Sequence, residues 1–371
     1  MNHVKSISIE GFKSIRKAEL DLGMVNVLIG ANGAGKSNFL AVFHMISAMM
    51  AGELESYVGS SGRASSLLYY GPKRTRNLDV ALTFEAETGE STYSFWLAFA
   101  SPDSLMFSKE EATFRAPGYP KPYTLHLGAG HSESRLFDAA KEDKTARVVQ
   151  HLLKSCRVFQ FHDTSATSPM RRASYVGHTS WLNTDGGNLA AFLYGLRGHQ
   201  QPYYDRIVAT IRQIAPYFKD FVLEPSRDNT RELFLDWRDE DPEGRFGPHQ
   251  LSDGTLRAMA LITLLLQPED QLPNVVIIDE PELGLHPYAI EVIASLIRSA
   301  SSNAQIIVAT QSTKFVDQFD PTEIIVADRH AGETLLSRPS PEQFKEWIDE
   351  YSVGELWEKN VLGGRPSSWR A

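Results

Sequence analysis

Val25-Asn26-Val27-Leu28-Ile29-Gly30-Ala31-Asn32-Gly33-Ala34-Gly35-Lys36-Ser37 is the stretch on which the reading of this 371-residue chain turns. Its first five residues form a short apolar strand that runs directly into spaced glycines and a closing Gly-Lys-Ser. From Asn38 to Met50, Phe39, Leu40, Val42, Phe43 and Ile46 mark the apolar face of a helix. Strand, glycine loop, helix is the context a phosphate loop requires. Glycines let the backbone wrap closely around phosphates, so that amide N–H groups donate to their oxygens. The helix that follows brings the positive end of its dipole beside the anion. The residues expected to hold the phosphates of a nucleotide are therefore Gly30, Ala31, Asn32, Gly33, Ala34, Gly35, Lys36, Ser37 and Asn38. Lys36 would reach the β- and γ-phosphates, and Ser37 would offer its hydroxyl to Mg²⁺. The bland alternative is a chance glycine turn ahead of a helix.

More than 200 residues later two further stretches answer this loop. Val275-Val276-Ile277-Ile278-Asp279-Glu280-Pro281 is a buried-strand pattern ending in two acids. Carboxylates at such a strand end emerge where ligands bind in open α/β sheets. Asp279 is the expected Mg²⁺ partner. Glu280 is placed to orient and deprotonate an attacking water. The competing reading is a pair of solvated acids. Leu251-Ser252-Asp253-Gly254-Thr255 opens a helix, for which Ser252 is a good N-cap.

Composition narrows the class. Hydrophobic residues make up 42% and charged residues 22%, as in ordinary soluble domains. The apolar runs are too short to span a membrane, and Met1 to Ser14 lacks the apolar core of a signal peptide. Cys156 is the single cysteine, so no intrachain disulfide can form and the expected compartment is the cytoplasm. A net charge of -9 argues against coating nucleic acid electrostatically, although a local basic patch would escape that count.

Patterning suggests strands at Val4–Ile9, Ala18–Leu22, Leu78–Ala86 and Tyr93–Ala100, the last two as a hairpin around Thr88-Gly89-Glu90. A helix is expected over Lys141–Cys156 and a strand over Arg157–Phe161. Asn188–Tyr217 reads as helix broken at Pro202, and Leu233–Trp237 as one strand. Helices at Thr255–Leu266 and Tyr288–Ala300 alternate with strands at Val275–Ile278, Ile306–Ala309 and Ile324–Ala327. That alternation predicts an α/β fold with a mostly parallel sheet flanked by helices, plus a β-rich and helical insert lobe. The expected division is residues 1–50 and 246–371 for the two parts of the head and 51–245 for the insert. Pro341–Trp357 reads as one or two short helices.

The order of phosphate loop, Leu-Ser-x-Gly signature and apolar Asp-Glu-Pro strand resembles the heads of ABC-type P-loop ATPases. The Ile9-Glu10-Gly11-Phe12-Lys13-Ser14-Ile15 start and the Asp279-Glu280-Pro281-Glu282-Leu283-Gly284-Leu285-His286-Pro287 run resemble the RecF/SMC-like and OLD-like members rather than transporters. Phe161 to Ser165, Leu251 to Arg257 and Leu356 to Asn360 are similar to stand-alone bacterial ATPases of that group. The resemblance implies that Ser252 and the Gly254 backbone contact a nucleotide held by a second copy. It also implies a homodimer or larger homo-oligomer closed by ATP. Asp253 stands where many members have glycine and would add negative charge near the phosphates. Gln311 stands where many have histidine and would serve as the switch residue without a positive charge.

No long coiled-coil arm and no Toprim nuclease domain is expected. The resemblance thus implies a separately encoded effector, such as a Toprim-like or HNH nuclease, in DNA repair or anti-phage defence. Nucleic acid is a further possible partner. The rival reading is a nucleotide-gated scaffold that holds a nuclease or toxin inactive with little turnover. His286 is either an interface residue or a helix start. Gln160, His162 and Asp163 are either phosphate sensors or a strand–loop junction. Lys13 is either a phosphate contact or a solvated lysine, and Lys73-Arg74-Thr75-Arg76 either a nucleic-acid patch or a solvated loop.

Overall fold

A computed structural model describes residues 2–241, 244–340 and 350–364. The chain divides into two compact units: Met1–Val158 with Pro273–Ile277 and Ala304–Ala371, and Phe159–Leu272 with Ile278–Asn303.

In the first unit β1 (His3–Phe12) and β2 (Ile15–Asp21) form a hairpin, followed by β3 (Val25–Ile29). The chain then makes α1 (Lys36–Ala51), α2 (Leu54–Ser60) and α3 (Arg63–Leu67). Next come β4 (Asn77–Ala86), β5 (Gly89–Ala100), β6 (Ser104–Arg115) and β7 (Tyr123–Gly128). These strands join β1 and β2 in a sheet of order β2-β1-β4-β5-β6-β7. Alternating burial along β4 and β5 puts Leu78, Val80, Leu82, Phe84, Tyr93, Phe95 and Leu97 into one core with α1 residues such as Phe39 and Phe43. The hairpin turn is tighter than its sequence suggested. Ala86 pairs with Gly89, so β5 begins at Gly89 and runs through polar Glu90 and Thr92.

β6 was not read from the sequence because Lys109-Glu110-Glu111 interrupts its apolar pattern. Glu110 is nevertheless fully buried. Tyr93 Oη donates to it at 2.6 Å, His131 Nε2 lies 2.8 Å away, and Ser134 Oγ and the Arg135 N–H also donate. A carboxylate can be buried when its lone pairs are filled this way.

The helix expected over Lys141–Cys156 is two, α4 (Leu136–Glu142) and α5 (Lys144–Lys154). Asp143 divides them, extended in backbone and accepting from the Ala146 N–H at 2.9 Å as N-cap. Cys156 instead opens β8 (Cys156–Phe159).

The second unit contains β9 (Ser174–Tyr175), α6 (Leu189–His199), α7 (Gln201–Ile214) and β10 (Asp220–Val222). It continues with β11 (Glu232–Leu233), β12 (Asp236–Arg238), β13 (Arg245–Phe246) and α8 (Asp253–Leu266). The helical break falls at Gln200, not Pro202. Proline sits in the first turn of α7, where its missing N–H has no partner to lose. The strand expected at Leu233–Trp237 is split because its two ends serve different sheets: β11 pairs with β9, and β12 with β10. Every α8 residue from Leu256 to Leu266 is buried, as its apolar sequence requires.

β14 (Val275–Asp279) starts in the first unit, and the second contributes α9 (Pro287–Ala300). The chain then returns through β15 (Gln305–Thr310), α10 (Thr313–Val316), β16 (Ile324–His330), β17 (Glu333–Ser337) and α11 (Val353–Glu358). Pro341 to residue 349, where helix was expected, lies outside the described residues. The central sheet has the order β17-β16-β3-β15-β14-β8. β3 is parallel to both β15 and β16, while β17 turns back antiparallel on β16. Every residue of β3 and β15 is buried, which is why both read as mainly apolar runs, with Asn26, Gln305 and Thr310 as their buried polar members.

Glu110→Ala removes the buried carboxylate on which Tyr93, His131, Ser134 and the Arg135 N–H converge, and should destabilise the protein by about 3 kcal/mol. A thermal unfolding midpoint equal to wild type would contradict this. Burial also pushes the Cys156 thiol up to about 12. Iodoacetamide at neutral pH should therefore leave native protein unlabelled and modify it only in denaturant; rapid native labelling would show the site to be open.

Candidate nucleotide-binding site

The phosphate loop begins where β3 ends. At Gly30 a Cβ would collide with the Ala327 carbonyl, and at Gly35 with the Thr334 side chain. Gly33 and Gly35 adopt φ of +77° and +114°, which glycine does without strain. Gly35 is the N-cap of α1, and Lys36 is its first residue. Lys36 is 6% exposed, and its Nζ donates to the Gly30 carbonyl at 2.6 Å and the Ala31 carbonyl at 3.3 Å. The Ala31 N–H donates to Gly364 and the Ala34 N–H to Ala31, so those two amides are already satisfied. Among the described residues the N–H groups of Gly33, Gly35 and Ser37 have no protein acceptor. They are the donors available to an anion. The Asn38 amide group turns the other way and donates to Ser14 Oγ at 2.6 Å.

Beside the loop lies a polar cavity of about 620 Å³ whose lining includes Lys13, Ser14, Asn38, Tyr70 and Arg329. Lys13 is half-buried with φ of +49°, and burial holds its ammonium below the usual lysine value. Arg74, from the basic run, stacks on Tyr70 at 4.6 Å and on Tyr69 at 5.4 Å. At least this member of the run belongs to an aromatic wall. Gln311 follows β15 and is exposed. Thr310 Oγ1 accepts the Ser312 N–H at 3.0 Å, and Ser312 caps α10, which fixes the turn carrying Gln311.

The other expected residues belong to the second unit. Ser252 caps α8, accepting from the Thr255 N–H at 3.1 Å, and is itself exposed. Gly254 is glycine for a packing reason: a Cβ there would collide with the Gly284 carbonyl. Asp253 has a counter-ion that sequence reasoning missed. Arg171 Nη2 lies 2.8 Å from its carboxylate, and Arg171 is 5% exposed. The same guanidinium donates to the Thr164, Pro248 and Leu251 carbonyls. Arg257, also nearly buried, donates to the carbonyls of Phe161, His162 and Leu283. It thereby ties the start of α8 to the loop after Glu280. The partners of neither arginine can be read from the sequence, since those that accept through the backbone carry no side-chain signature.

Asp279 ends β14, and its carbonyl oxygen lies 2.9 Å from His162 Nε2. Glu280 has φ of +42°, a left-handed conformation unusual outside glycine. Asp163 folds back on Ser165, bonding both its N–H and its hydroxyl, and the Gln160 N–H donates to Thr184. His286 is the N-cap of α9, with Nδ1 accepting from the Tyr288 N–H at 3.4 Å. That is the helix-start reading.

Comparison with solved structures supports the α/β head. The chain is similar to the SmcHead bound to the C-winged helix domain of ScpA, with 15% identity and a TM-score of 0.61, covering 93% of this chain and 99% of that one. It is also similar to the Smc head domain with an extended coiled coil bound to the C-terminal domain of ScpA from Pyrococcus furiosus. There identity is 14% and the TM-score 0.57, over 94% of this chain and 99% of that one. No curated protein sequence matches the chain. These neighbours give it the fold of an Smc head domain. The family model described as "AAA domain, putative AbiEii toxin, Type IV TA system" matches residues 25–317, well over half of the sequence, and the chain belongs to that family.

Proposed function

We propose that this chain binds ATP with Mg²⁺, hydrolyses it, dimerises around the nucleotide and thereby controls a separately encoded effector. The phosphate loop carries the reading: amides at Gly33, Gly35 and Ser37 without protein acceptors among the described residues, on a loop whose lysine contacts loop carbonyls. The adjoining polar cavity has room for a nucleoside. In this reading Lys36 exchanges the Gly30 and Ala31 carbonyls for phosphate oxygens. Ser37 and Asp279 are the oxygen donors for Mg²⁺, which would neutralise phosphate charge.

Glu280 is the general base. Its strained backbone supports a functional role, since such strain persists only where surrounding structure enforces it. Gln311 is the uncharged switch residue that hydrogen-bonds water or phosphate. Ser252, exposed at the start of α8, and the Gly254 backbone are the groups that reach the nucleotide of a second copy. Arg171 neutralises Asp253, which favours a phosphate-tolerant signature over the scaffold reading with little turnover. That rival then rests on Gln311 alone. The ScpA partner of both Smc heads supports readout by another protein. A nuclease acting in DNA repair or phage defence is the effector class that the motifs' resemblance favours.

Replacing Lys36 by Ala should raise the Kd for Mg-ATP about a hundredfold, or about 3 kcal/mol, in equilibrium dialysis. Equal affinity would remove the loop from the site. Glu280→Gln should keep ATP binding, lose about 10²–10⁴ in turnover and run as a dimer with ATP in light scattering. A variant that binds ATP yet stays monomeric would refute closure by a second copy.

A further inference from the structure

The C-terminal hairpin β16–β17 reaches the phosphate loop at two successive carbonyls. Arg329 Nη1 donates to the Gly33 oxygen at 3.1 Å, and Thr334 Oγ1 donates to the Ala34 oxygen at 2.8 Å. Thr334 is fully buried and packs on the Cα of Gly35, where no side chain fits. Its own hydroxyl lies 2.7 Å from Ser14 Oγ, which in turn accepts from Asn38 Nδ2 at 2.6 Å. The Thr334 N–H donates to the Ser14 carbonyl at 2.8 Å. Since amide nitrogen can only donate and a carbonyl can only accept, the direction of the relay is set. Asn38 donates to Ser14, Ser14 to Thr334, and Thr334 to Ala34. The relay joins the first turn of α1, the β1–β2 turn, β17 and the loop.

We infer that Thr334, assisted by Ser14 and Arg329, is the positioning residue of the phosphate loop. The peptide group is planar, with C=O and the next N–H pointing in opposite directions. Holding the Ala34 carbonyl therefore also sets the direction of the Gly35 N–H, one of the donors without a protein acceptor among the described residues. Two carbonyl oxygens engaged by donors are also withheld from any phosphate, which they would repel. Chained hydroxyl donors polarise one another, so the relay is stiffer than its separate bonds. The inference rests on the nucleotide reading above and adds to it the device that orients the donors.

The test compares Thr334→Val with Thr334→Ser in Mg-ATP and inorganic triphosphate binding by equilibrium dialysis. Valine keeps the shape and removes the hydroxyl, so both Kd values should rise by the same factor, about tenfold, a typical loss for one hydrogen bond. Serine should restore wild-type affinity. Purely structural damage would lower the thermal midpoint of the valine variant without this selective recovery. Ser14→Ala, which cuts the relay one link earlier, should weaken both ligands about threefold. Valine and alanine variants that bind as wild type would overturn the inference and leave the nucleotide reading standing. Wild type that binds neither ligand would overturn both.

Discussion

The planarity of the peptide between Ala34 and Gly35 is the constraint on which the first unit's chemistry depends. An amide can face an anion only if its neighbouring carbonyl is directed elsewhere and satisfied there. Here the partner is Thr334, three hundred residues away in sequence and at the edge of the same central sheet. The sheet makes the meeting possible. β3 lies between β15 and β16, so the loop leaving β3 emerges beside the hairpin that β16 begins. Two glycines then let these backbones and side chains approach: Gly30 against Ala327, and Gly35 against Thr334.

The second unit solves a different problem with buried guanidinium groups. Arg171 and Arg257 each spend their donors on backbone carbonyls from several segments, which fixes irregular chain where no sheet or helix could. A planar fork of N–H donors suits this task better than a lysine ammonium. Burying such a charge is costly, and burial draws the Arg257 guanidinium below its usual range, while Asp253 and Glu280 pull it back. The signature start and the loop after Glu280 are therefore held by the same residue. Gly254 follows from that closeness, since only glycine lets the Gly284 backbone pass.

What could be read from the sequence was whatever is local. The apolar runs of β3, β14 and β15 announce a buried parallel core, and the glycine spacing announces the loop between strand and helix. Ser252 and His286 stand where helix caps belong, and both cap helices. Long-range partners left no such trace. β6 hides behind a buried glutamate, whose acceptors are filled by residues from β5 and from the segment after β7. Asp253 looked like an isolated negative charge because its counter-ion is 82 positions earlier. Thr334 lies in a short edge strand that carries no motif, and only pairing with β16 gives it a place.

These features describe a loop whose donors are arranged in advance and whose own carbonyls are spoken for. Hydrogen–deuterium exchange of the backbone over residues 30–38, with and without Mg-ATP, tests that claim most directly. The account predicts strong protection of this segment on adding Mg-ATP, because phosphate oxygens fill the donors at Gly33, Gly35 and Ser37. Unchanged exchange across the segment at saturating Mg-ATP would contradict it.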